Sequence, residues 1–241
     1  MHELVIKDLG CLGWRAGSAL QEEAVLQRKQ NQIPDTLFFA EHPHVITMGR
    51  NGHPENLLAS EEVLNRSGIT VEETKRGGDV TYHGPGQVVG YPILDLNSWK
   101  RDVHLYVRAL EEVLIATLND FGIPSERATG MTGVWTGGAK IAAIGVHISR
   151  WVTSHGFALN VTTDLEYFGY IVPCGLHKPV TSMRALGVEA RRETVLDRLS
   201  RNFEHIFDRE RVTYGRSDAA DGREYRGGNA DQVAEEAGRY R

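Results

Sequence analysis
The chain contains two thiols, Cys11 and Cys174, and the second lies where a thiol can do chemistry. Cys174 sits in Ile171-Val-Pro-Cys174-Gly-Leu176, and its Pro and Gly neighbours set a constrained bend from which a side chain can project into a cleft. A lone free cysteine is more often an inert buried residue. It becomes a nucleophile when a nearby base or cation holds it as thiolate. Three neighbours are candidates: His177, close in sequence; His83, in Arg76-Gly-Gly-Asp-Val-Thr-Tyr-His83-Gly-Pro-Gly-Gln87; and Lys140, in Gly133-Val-Trp-Thr-Gly-Gly-Ala-Lys140-Ile-Ala-Ala-Ile-Gly145. Spacing alone does not choose among them. With His155-Gly-Phe-Ala-Leu-Asn160 these make four glycine-rich segments. Any one of them reads as a tight turn. Four together, carrying one Cys, one Lys and two His among small residues, suggest a surface where a ligand approaches the main chain closely.

Other chemistries fit poorly. A Walker loop needs Gly-Lys-Ser/Thr after its spacer; here Ala139 separates Gly138 from Lys140, and Ile141 replaces the hydroxyl residue. The dinucleotide fingerprint fails because Gly84 and Gly86 are followed by Gly90, one residue late, with Pro85 between them. The ten histidines are dispersed with no His-Glu-x-x-His pattern, and His42 and His44 lack a matching third ligand. No metal and no cofactor is implied. A net charge of −5 argues against a nucleic-acid partner, and no window is apolar enough for a membrane span. Met1-His-Glu-Leu4 lacks a signal-peptide layout, so free thiols in a cytoplasmic protein are expected.

The elements that must position these groups follow from periodicity. Val103, Tyr106, Val107, Leu110, Val113, Leu114 and Leu118 recur at spacings of three and four, which predicts a helix between Asp102 and Phe121, capped by Asp102 and stopped by Gly122 and Pro124. A second helix is expected over Glu193 to Phe207, an earlier one over Ser18 to Gln30, and a short one after Ser60. Strands are expected at Leu4 to Lys7, Thr36 to Met48 with a break at Pro43, Val88 to Leu94, Gly133 to Thr136, Lys140 to Ile148 and Val152 to Val161, with a hairpin turn at Arg150. Strands mixed with long helices and no regular βαβ alternation predict a single α+β domain over residues 1–214, its helices packed on a mixed or antiparallel sheet. Beyond Tyr214 the composition turns to Gly, Asp, Arg and Glu, so a disordered tail over 215–241 is expected.

Taken together, Arg76-Gly-Gly, Tyr82-His83-Gly-Pro-Gly-Gln87, Lys140-Ile-Ala-Ala-Ile-Gly145, His155-Gly-Phe-Ala-Leu-Asn160 and Pro173-Cys174-Gly-Leu176 resemble, in order, the lipoyl (octanoyl) transferase family, within the biotin and lipoate protein ligase superfamily. The resemblance runs from Leu37 through Met183 and implies a fold like the catalytic domain of those ligases. It implies that Cys174 carries the acyl thioester and that Lys140 lowers its pKa or takes its proton. It also implies that Arg76, Gly77, Gly78, Asp79, Val80, Thr81, Tyr82 and His83, with Ala143, Ile144 and Gly145 and with Gly156, Phe157 and Ala158, line the acyl site. The activity implied is transfer of an octanoyl group from acyl carrier protein to a lysine of lipoyl domains, those of 2-oxoacid dehydrogenase complexes and of the glycine cleavage H protein.

The implied chemistry is self-consistent. Thioester to thiol is nearly isoenergetic and thiol to amine is downhill, so no nucleotide is needed. Ala142, Ala143, Gly145 and Ala158 are expected to leave a narrow apolar slot, in which each buried methylene contributes about 0.8 kcal/mol. An amide near Gly77 and Gly78, or the one after Cys174, is expected to steady the oxyanion. A basic patch drawn from Arg76, Lys100, Arg101, Arg108 and Arg150 is expected to meet the acidic carrier. Two other readings stand beside this one: an ATP-dependent lipoate-protein ligase, and a scaffold of the same fold that binds a lipoylated partner without chemistry.

Overall fold
The computed structural model describes residues 2–172 and 178–213. Residues 173–177, which include Cys174 and His177, and the expected tail lie outside the described residues. In chain order the elements are β1 (His2–Cys11), α1 (Trp14–Lys29), β2 (Asp35–Glu41), β3 (Val45–Met48), α2 (Glu61–Arg66), β4 (Thr70–Glu73), β5 (Val80–His83), β6 (Gln87–Ile93), α3 (Val103–Asp120), β7 (Glu126–Ala128), β8 (Met131–Thr136), β9 (Ala139–Ser149), β10 (Val152–Asn160), α4 (Arg192–Phe207) and β11 (Arg209–Arg211).

The strands form two mixed sheets. The larger has the order β11-β1-β2-β6-β10-β9-β8-β7, and the smaller the order β4-β3-β5. β1 runs parallel to β2, joined by α1, and from β2 to β7 each neighbour is antiparallel. The expected strand over Thr36 to Met48 is therefore two strands in two sheets, and Pro43 falls in the crossing between them.

Both faces of the large sheet are covered. Along β2, Leu37 and Phe39 enter the core shared with α3 and α4, whereas Phe38 and Ala40 enter the one beneath α1. That is why this strand reads as an unbroken apolar run: burial on both faces erases the polar half of the alternation. β10 splits the same way, with Phe157 and Leu159 toward α3 and α4 and Ala158 toward α1. Phe157 pairs with Gly90 of β6, where a Cβ would lie 2.2 Å from its ring. The missing side chain is the space the phenyl ring fills.

The helices begin and end as their sequences dictate. Asp102 accepts the Leu105 amide at 2.9 Å to open α3, and Gly122, at φ +71°, closes it. α1 starts one turn earlier than its periodicity suggests, at Trp14, because the chain leaves Gly13 in extended geometry. Arg150 and Trp151 both take positive φ between paired Ser149 and Val152, the two-residue turn that matches strand twist. Sequence periodicity missed β4, β5, β7 and β11, each only three or four residues long.

Candidate active site
A cavity of about 460 Å³ is lined from both sheets and from α1 and α3, a size typical of small-molecule sites. Its wall includes Arg76, Gly77, Gly78, Asp79, Val80, Thr81 and His83 from the loop into β5, Lys140, Ala143, Ile144 and Gly145 from β9, and Gly156, Phe157 and Ala158 from β10. Segments far apart in sequence thus share one hollow.

The register explains how β9 and β10 make room. Ala143 pairs with Ala158 and Gly145 with Gly156, so two rows of the smallest side chains lie side by side. Gly145 is required for another reason: a Cβ there would meet the Gly77 carbonyl at 3.0 Å and Arg76 Cδ at 3.1 Å. Ala142 departs from the expected slot. One residue out of phase, it is buried in the core toward α3.

The Arg76 loop is clamped from several sides. The Arg76 guanidinium is buried and donates to the Thr47 carbonyl at 2.6 Å, to Thr47 Oγ1 and to the Gly77 carbonyl. It therefore does not belong to a surface patch for a carrier protein. Arg108 donates to buried Glu111 at 2.7 Å but stays exposed at the surface. Asp79 accepts the His53 and Val80 amides and the Asn56 side chain, so its carboxylate organises the loop. Gly77 N–H donates to the Val146 carbonyl at 2.9 Å, which removes that amide from the oxyanion candidates.

Tyr82 is the one described member of the expected set that does not line the cavity. On β5 it alternates to the far side, where its ring stacks on Tyr167 at 5.2 Å and its hydroxyl bonds His44 Nδ1 at 2.8 Å. His42 and His44 part company in the same way. His42 Nδ1 lies 2.5 Å from the Leu12 carbonyl, which can only accept, so Nε2 accepts from the Tyr91 hydroxyl at 2.5 Å.

His83 is held by a directional chain. Asn160 Nδ2 donates to the Thr181 carbonyl at 3.0 Å, so Asn160 Oδ1 accepts from Gln87 Nε2 at 2.8 Å. Gln87 Oε1 must then accept from His83 Nδ1–H at 2.7 Å. That leaves His83 Nε2 with a lone pair. Burial first, and the neighbouring His42 second, push this imidazole down to about 3. Burial and Arg76 push His155 down to about 4. Both rings are neutral near pH 7.

Lys140 is half-buried beside its cross-strand partner Trp135, its Nζ 4.9 Å from the indole centroid. Its backbone bonds Pro179 O at 2.8 Å and Thr181 N at 2.9 Å. On the other side of the segment that holds Cys174, Val172 N–H donates to the Asn56 carbonyl at 2.8 Å. Both described ends of that segment are thus tied to the cavity wall, one at Lys140 and one beside the Asp79 loop. Cys174 itself lies outside the described residues.

Nothing in the sequence marks three of the lining residues, Trp14, Val89 and Tyr91; His155, in one of the glycine-rich segments, also lines the cavity.

A family model for the lipoyl protein ligase A/B catalytic domain matches residues 15–204. The chain is 60% identical over 210 residues to an octanoyltransferase of Solibacter usitatus, covering 87% of this chain and 96% of that one. It is 54% identical over 209 residues to an octanoyltransferase of Koribacter versatilis, covering 84% and 83%. Among solved structures it is similar in fold to a bi-partite lipoate protein ligase described with its E2 lipoyl domain from Thermoplasma acidophilum, with a TM-score of 0.72, 18% identity and 88% of each chain covered. With a family model spanning most of its length and near full-length relatives above half identity, this chain belongs to the lipoyl protein ligase A/B catalytic-domain family, as one of its octanoyltransferases.

Proposed function
We propose that the chain moves an octanoyl group from acyl carrier protein to a lysine of lipoyl domains through a thioester on Cys174, with Lys140 as its proton partner. The observation that supports this is where the flanking described residues are held: Val172 N–H bonds the Asn56 carbonyl, Asn56 bonds Asp79 of the cavity wall, and Pro179 and Thr181 bond the backbone of Lys140.

In the first half-reaction the Cys174 thiolate attacks the carrier thioester carbonyl. The tetrahedral oxyanion collapses, the carrier sulfur leaves as thiolate, and a proton from the protein restores its thiol. In the second, the substrate lysine amine attacks the new thioester. The C–S bond breaks, the Cys174 sulfur departs, and the amine proton passes to Lys140 or to that sulfur. Atoms and charge balance without a nucleotide. The paired Ala143 and Ala158 leave room for the alkyl chain, and burial keeps the His83 and His155 rings beside it neutral. The E2 lipoyl domain studied with the archaeal ligase supports lipoyl domains as acceptors, including those of 2-oxoacid dehydrogenases and the glycine cleavage H protein. We place the reaction in the cytoplasm.

Intact mass after incubation with octanoyl-carrier protein, without nucleotide, tests the reading. An octanoyl adduct on the wild-type chain that is absent in Cys174→Ser is expected. Full transfer by Cys174→Ser, or a strict need for ATP, overturns it.

A further inference from the structure
Trp14 is the first residue of α1 and lines the cavity with its indole 8% exposed. Three imidazoles fix its plane. It is parallel to His83 at 6.0 Å and to His155 at 6.1 Å, and His42 meets it edge-on at 5.6 Å. These props are themselves held. His83 is bonded to Gln87, and His42 spans Leu12 and Tyr91. His155 stands in left-handed backbone geometry with its amide donating to Gln21 of α1 at 2.8 Å. A non-glycine residue in that region costs of order 1 kcal/mol or more and persists where the surroundings enforce it.

The strand register locates this wall relative to the reactive end. Along β9 the cavity runs from Lys140 through Ala143 and Gly145 to Val146, and Val146 pairs with His155, the ring on which Trp14 stacks. Six residues of strand rise about 20 Å. At about 1.2 Å per bond, the zig-zag rise underlying about 3.6 Å per extended residue, an eight-carbon acyl thioester spans about 10 Å. The acyl chain takes about 10 Å of the run along β9, and the extended Lys140 side chain, about 6 Å long, with the sulfur and the attacking amine takes the remainder, so the eighth carbon ends near the indole. Ala143 and Ala158 line the way, the Arg76–Gly77 loop packs over Gly145 beside it, and the indole is the large group that follows.

We propose that Trp14 sets the acyl-length limit of the transferase: it closes the end of the slot opposite Lys140, so carbons beyond the octanoyl length are directed onto a ring that cannot move aside. This rests on the acyl-transfer reading above. Each further methylene admitted to an apolar site gains about 0.8 kcal/mol, about fourfold in affinity. Opening the end wall therefore converts added carbons from a clash into a gain.

The test measures kcat/KM for octanoyl-, decanoyl- and dodecanoyl-carrier protein with wild type, Trp14→Phe and Trp14→Ala. The ratio of dodecanoyl to octanoyl kcat/KM is expected to rise at least tenfold in Trp14→Ala and by a smaller factor in Trp14→Phe, which keeps a ring between the imidazoles. A ratio within twofold of wild type in the folded variants overturns the proposal while leaving the transferase reading intact. Absence of octanoyl transfer by wild type would instead overturn that reading. If Trp14→Ala does not fold, Trp14→Phe decides by decanoyl against octanoyl: an unchanged ratio there refutes the limit.

Discussion
Replacing His83 by glutamine and following unfolding free energy against pH isolates one buried proton site. His83 is 6% exposed, and its environment carries the imidazole from its ordinary 6.5 to about 3. A folded-state pKa below the unfolded one gives stability that is complete above pH 6.5, where both states are neutral. That stability is lost as pH falls from 6.5 toward 3, because only the unfolded chain binds the proton. At about 1.4 kcal/mol per tenfold in proton affinity, the full loss is about 5 kcal/mol, a large share of the stability of an ordinary domain. Between pH 6.5 and 5 the carboxylates of an unfolded chain are still ionised, so this window reports histidines. Urea unfolding at half-unit pH steps should give the wild type a slope steeper than His83→Gln by about 1.4 kcal/mol per pH unit. The variant's absolute stability is immaterial, because the slope carries the result. Equal slopes would show that His83 is protonated in the folded state or titrates normally there, and would refute the neutral-imidazole network with Gln87 and Asn160.

The other outcomes concern separate links. Lys140→Ala should slow octanoyl transfer by the factor of about 10² to 10⁴ typical of losing an acid–base group; a pH–rate profile identical to wild type would count against Lys140 as the proton partner. Glu111 is fully buried and holds Arg108, Arg127 and the Gly133 amide; both arginines reach solvent, so Glu111→Ala should destabilise by about 1–3 kcal/mol, chiefly through the buried Gly133 amide left unpaired. Urea midpoints read that loss, and a loss under 1 kcal/mol would mean solvent reaches the site. Gly90→Ala places a methyl against the Phe157 ring and should cost about 1–3 kcal/mol by overpacking, read as a lowered Tm, whereas an unchanged Tm would show the ring free to shift.

By itself the sequence determined the local elements and the identity of the groups that meet. α3 and α4 were legible because their apolar residues recur at helical spacing over many turns, and Asp102 and Gly122 punctuate the first of them. The segments around Arg76, Lys140 and His155 were legible because clustered small residues with one reactive group each are an unusual pattern. Tertiary structure decided which way those residues face. Ala142 and Ala143 are alike in sequence, but one faces α3 and the other the cavity; Tyr82 turns from the site while His83 enters it. Alternation fixes that neighbours on a strand point oppositely, yet where both faces of a sheet are buried no polar side chain marks which face is which. Tertiary structure also split Thr36 to Met48 between two sheets, committed the Gly77 amide to Val146, and brought Trp14 from the start of a helix to the end of the slot. A contact between residues some 140 positions apart leaves no local periodicity, because it depends on where α1 packs across β10 and not on the residues beside Trp14.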